Sequence, residues 1–110
     1  VNTFETAASL IEGFTIRNGN AQLGTEFTGN GGGMSLISSD TVVRDCVFED
    51  CSANRQGGGL NMSNTGGRVE NCVFRNNQIP PNGNAESGAG LFVNAKFGAR
   101  PIVVGCTFEN

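Results

Sequence analysis

One word of about nine residues occurs four times in this chain. It reads "IEGFTIRNG" from Ile11, "VRDCVFEDC" from Val43, "VENCVFRNN" from Val69 and "VVGCTFEN" from Val103. Aligning the copies puts Ile16, Phe48, Phe74 and Phe108 in one column, with separations of 32, 26 and 34 residues. Self-similarity at such a period is the signature of a stacked repeat architecture. A second word precedes three of the copies: "GGGMSL" from Gly31, "GGGLNM" from Gly57 and "GAGLFV" from Gly88. Met34 to Val43 and Leu60 to Val69 each span nine residues, and Leu91 to Val103 spans twelve, so the last unit carries three inserted residues.

Each unit holds three short β-type words. In the third unit they are Leu60-Asn61-Met62, Arg68-Val69-Glu70 and Cys72-Val73-Phe74. One unit cannot bury its own apolar face, so neighbouring units must stack. The pattern predicts an all-β chain, a parallel β-helix (β-solenoid) of about four coils with three short strands per coil. The whole of 1–110 forms one domain, with coils at about 1–18, 31–50, 57–77 and 88–110. The segments 19–30, 51–56 and 78–87 differ in length between units and read as loops. Composition agrees: 17 glycines and a charged fraction of 15% disfavour a helical bundle.

Val69 and Cys72 are both inward candidates, yet three residues apart, which strict alternation forbids. A single bend at Asn71, with positive φ, reconciles them. Gly13, Asp45, Asn71 and Gly105 share that column, and all four residue types tolerate the left-handed region. Two outward columns support the stacking. Glu12, Arg44 and Glu70 share one, and Arg17, Glu49, Arg75 and Glu109 share the other, with alternating sign in both. At the ~4.8 Å spacing of paired strands these become ladders of opposite charge. In the first-strand column Ser35, Asn61 and Phe92 are expected to face outward, so the sequon at Asn61 ("NMS") lies on an outward position.

Cys46, Cys72 and Cys106 form an inward column with Phe14, and three readings compete. Metal ligands should converge on a point rather than form a line, and the chain has no His. Disulfide partners must face one another, whereas stacked equivalents point the same way. The favoured reading is a ladder of small thiols that pack as hydrophobes. Cys51 lies outside the column and is expected to be free and partly exposed.

The words "GFTIRNGNA", "GGGL…NCVFRNN" and "GAGLFV…CTFEN" resemble the right-handed parallel β-helix repeat family, in particular repeats of the polymorphic outer membrane protein type. "FRNN" from Phe74 and "FTGN" from Phe27 match its "FxxN" word. "FEDC" from Phe48 has Cys51 in place of the Asn. The resemblance implies right-handed coils, which parallel crossovers also favour, and an extracellular or cell-surface setting.

Net charge is −3 and there is no basic cluster, so a nucleic-acid partner is not expected. No apolar run approaches a membrane span, and no signal peptide is recognised. No cofactor and no metal site is expected. A calcium site through Asp40, Asp45 or Asp50 lacks a dense acidic motif. Polysaccharide-cleaving β-helices cluster acids on one face, whereas the residues left here near the variable corner are Glu26, Asp50, Arg55 and Glu86. The expected function is therefore a non-enzymatic structural or surface module. The alternatives are a carbohydrate-binding or polysaccharide-cleaving protein, and a spacer segment of a long adhesin. The partner is expected to be a second copy stacked head-to-tail into a fibre, or flanking coils of a longer chain, with a polysaccharide as the further option.

Overall fold

The computed structural model describes residues 9–21, 30–79 and 88–109. Thirteen short strands wind through them. Coil one holds β1 (Leu10–Glu12), β2 (Thr15–Arg17) and β3 (Asn20–Ala21). Coil two holds β4 (Met34–Ile37), β5 (Val42–Arg44), β6 (Val47–Glu49) and β7 (Ser52–Ala53). Coil three holds β8 (Leu60–Thr65), β9 (Arg68–Glu70) and β10 (Val73–Arg75). Coil four holds β11 (Leu91–Ala95), β12 (Ile102–Val104) and β13 (Thr107–Glu109). The strands pair only between coils, always in parallel: β1-β5-β9-β12, β2-β6-β10-β13 and β4-β8-β11. Each strand is too short to be stable alone, and each uses the coil beside it as its hydrogen-bonding template.

The register follows the repeat. Ile16, Phe48, Phe74 and Phe108 are Cα partners across β2, β6, β10 and β13. Phe48 and Phe74 stack with ring centroids 5.1 Å apart, and Phe74 and Phe108 with 4.9 Å. Around this column Leu36, Val43, Leu60, Met62, Val69 and Cys72 close the core.

Four left-handed corners turn the coil. The expected column Gly13, Asp45, Asn71 and Gly105 has φ of +79°, +54°, +51° and +66°. A second column, five residues later, holds Asn18, Asp50 and Asn76 at +59°, +53° and +52°. Ser38 and Asn64 form a third, and the first glycine of each glycine-rich word, Gly31, Gly57 and Gly88, a fourth. Small polar residues and glycine hold these corners because other side chains clash there.

Two segments read as loops begin with ordered structure. β3 and β7 pair as a narrow fourth sheet within 19–30 and 51–56, and Ser52 bridges onward to Gln78. Six residues, 96–101, stand where coil three has two, 66–67, and one residue rather than two separates Val93 from Ala95, a net insertion of three. Ala95 pairs with Thr65 and Ile102 with Arg68, so the extra chain bulges out as a turn with Gly98 at its corner and Phe97 fully exposed.

Candidate functional site

Several corners place a small hydrogen-bonding side chain just after the left-handed residue. Cys46, Cys51 and Cys72 follow Asp45, Asp50 and Asn71. Their thiols donate to the carbonyls two residues back, on Arg44, Glu49 and Glu70, all at 3.3 Å. Each also points at the coil below: Cys46 to Ile11 O at 3.8 Å, Cys51 to Ile16 O at 3.8 Å, Cys72 to Val43 O at 3.6 Å, and Cys106 to Val69 O at 3.7 Å. Thr65 does the same after Asn64: its hydroxyl donates to Ser39 O and accepts from Gly67 N–H at 2.8 Å. The thiols thus cover corner carbonyls as well as packing apolar surface.

Cys51 corrects its expectation. It is fully buried and it does occupy a column, with Gly19 below and Asn77 above. Asn77 Oδ1 accepts from Cys51 N at 3.0 Å, and its Nδ2 donates to Phe48 O at 2.9 Å. This explains the "FxxN" word: its Asn turns inward and ties one coil's corner to the coil beneath, and Cys51 fills the same place one coil earlier. Asn61 also differs from expectation. It is buried, donating to Ser35 Oγ at 3.1 Å and accepting from Ser63 Oγ at 3.2 Å, so its sequon is not on the surface. Phe14 follows the corner at Gly13 but is 60% exposed, being in an end coil.

All four thiols are free. Burial pushes the Cys72 thiol up to about 12 and raises Cys51 as well, which suppresses the reactive thiolate. In dilute native protein a thiol reagent should label half-buried Cys106 first. Cys46, Cys51 and Cys72 should react at least about 100-fold more slowly, because they require local opening. Mass spectrometry of alkylated peptides checks this order, and rapid labelling of Cys72 would contradict it.

The second charge column forms a continuous ladder. Arg17 pairs with Glu49 at 2.5 Å, Glu49 with Arg75 at 3.2 Å, and Arg75 with Glu109 at 2.6 Å. Arg17 first, then Arg75, holds the Glu49 carboxyl below the usual carboxylate range, and Glu109 raises Arg75. In the other column Arg44 pairs with Glu12, while Glu70 takes its closest partner from its own strand, Arg68 at 3.1 Å. A further pair crosses two coils. Lys96 Nζ reaches Asp40 Oδ2 at 2.8 Å over Gly66, whose N–H donates to Asp40 Oδ1 at 2.9 Å. Lys96, with that N–H, lowers the Asp40 pKa.

Among the described residues, the acids considered for catalysis or calcium do not converge. Asp40 is held by Lys96, Asp45 and Asp50 are corner residues, and Glu26 and Glu86 lie outside the described residues, as does Phe27. Among the described residues no group of three or more potential metal ligands occurs, and no helix is long and apolar enough to cross a membrane.

Among the described residues, the remaining distinctive surfaces are the outer faces of coils one and four. In mid-stack Val43, Val69, Phe48 and Phe74 are buried. Their last-coil equivalents Val103 and Phe108 are 45% and 55% exposed. A shallow cleft at that end is lined by Phe74, Asn77, Ala89, Gly90, Phe108 and Glu109. At the first coil the exposed residue of an inward column is Phe14, and Leu10, 53% exposed, stands in the outward column of Val42, Arg68 and Ile102.

Parallel sheets shared by successive coils, with in-register ladders on their inner and outer faces, define a parallel β-helix. The family model for the right-handed β-helix region matches residues 2–110, and the chain belongs to that family. No curated protein and no solved structure matches the chain.

Proposed function

We propose that this protein is a non-enzymatic structural module of the cell surface or exterior, a stiff β-solenoid segment whose ends join further coils. The observation that carries this reading is apolar surface left exposed on inward columns of the first and last described coils, Phe14 on one and Val103 and Phe108 on the other. Unpaired strand edges backed by exposed apolar residues are surfaces for strand addition. The lateral faces fit a passive wall, since seven of the seventeen charged residues stand in the two outward columns that zip the coils together.

The test is assembly. Raising the concentration should give elongated particles by electron microscopy, with axial diffraction near ~4.8 Å. Particles that stay monomeric at about 1 mM, where even a weak end contact is populated, would remove the reading. Turnover on a polysaccharide panel would replace it with an enzymatic one.

A further inference from the structure

The end surfaces carry more than exposed apolar area, because their residues continue the internal columns in one register. We infer that coil one of a second copy seats on coil four, β1 against β12 and β2 against β13, in the register the coils use within the chain. The inference rests on the proposed structural role and names its partner.

In this register the second copy's Ile16 covers Phe108, as Phe74 does from the other side, and its Arg17 follows Glu109. The ladder Arg17, Glu49, Arg75, Glu109 then runs on into another Arg without a break in alternation. Arg17 and Glu109 are available for this, with side chains 63% and 45% exposed. Across the other sheet Leu10 meets Ile102, Ile11 meets Val103 and Glu12 meets Val104, and no like charges oppose. Exposed Leu10 and Phe14 thus meet exposed Ile102 and half-buried Cys106.

The backbone series point the same way. Gly13 N–H donates to Arg44 O, Asp45 N–H to Glu70 O and Asn71 N–H to Val104 O, at 3.2, 3.1 and 3.0 Å. The next member is Gly105 N–H to Glu12 O of the second copy. Val47 N–H donates to Phe14 O, Val73 N–H to Cys46 O and Thr107 N–H to Cys72 O, each at 2.9 Å. The next member is the second copy's Thr15 N–H to Cys106 O. Contacts of this kind are heterologous and extend into a filament.

Val104 supplies a register-specific test. It continues the Glu12, Arg44, Glu70 column, and the inferred stacking sets it between Glu70 and the second copy's Glu12. Val104→Arg completes the alternation, and Val104→Glu places three carboxylates in a row. Sedimentation velocity over a concentration series should show Val104→Arg associating more tightly than the wild type and Val104→Glu more weakly. The two should lie about tenfold apart in association constant, a gap that closes at about 1 M salt. Hydrogen exchange at Gly105 should slow on association.

If both variants weaken association, two coil-four ends face one another and the inference is overturned. If neither variant changes it, the register is wrong, while the structural role stands. A wild-type chain that never associates removes both.

Discussion

Phe48→Ala lowers the unfolding free energy by about 4 kcal/mol, and Phe108→Ala by about 1 kcal/mol, when dilute protein is unfolded in urea. The two residues share a column and a chemistry. Phe48 is buried between Ile16 below and Phe74 above, so its truncation leaves a cavity that neighbouring coils cannot fill without breaking register. Phe108 is 55% exposed and stacks on one face only, against Phe74. Truncating it removes one stacking contact and little buried area. Equal losses at the two positions would mean that coil four is covered in the free protein. The comparison therefore also reports on the bare end that underlies the proposed function.

This column is legible in the sequence because the words around it recur with the same internal spacing, so that Ile16, Phe48, Phe74 and Phe108 align. The first corner column is legible for a different reason. Val69 and Cys72 break the two-residue alternation, and only a bend between them restores it. The second corner column, Asn18, Asp50 and Asn76, leaves no such conflict, since the residues after it are polar and resemble a loop. A local signal is present all the same. "DC" occurs twice in "VRDCVFEDC", and the second pair repeats the geometry of the first, which is why Cys51 is buried.

The charge ladders are legible from sign alternation across aligned copies. The Lys96–Asp40 pair is not, because it spans 56 residues and depends on Gly66 leaving room between the two side chains. The end surfaces follow from the period, which says that coils stack. Their exposure follows only once the core positions are placed in three dimensions.

Gly58→Ala should cost about 3 kcal/mol and Ala89→Gly less than about 1 kcal/mol, although both change one methyl group in one column. Gly32, Gly58 and Ala89 are the middle residues of the three glycine-rich words. A Cβ on Gly58 would lie 2.2 Å from Ala89 O and 2.8 Å from Gln78 O, and one on Gly32 would lie 2.3 Å from both Gly58 O and Ser52 O. These neighbours are backbone, so no side-chain rotation relieves the overlap. Relief requires the coils to separate locally by about 1 Å to reach ordinary van der Waals distance. That movement strains the bonds from Gly59 N–H to Ala89 O and Gly90 O, at 3.1 and 3.0 Å. Ala89 stands in the last coil and is exposed, so a methyl group is accommodated there. Urea midpoints give the size of the effect, and amide exchange gives its location. Because each coil touches only its neighbours, Gly58→Ala should speed exchange in coils three and four more than at β1 and β2. A uniform rise in exchange across all coils would show instead that the stack opens as one unit.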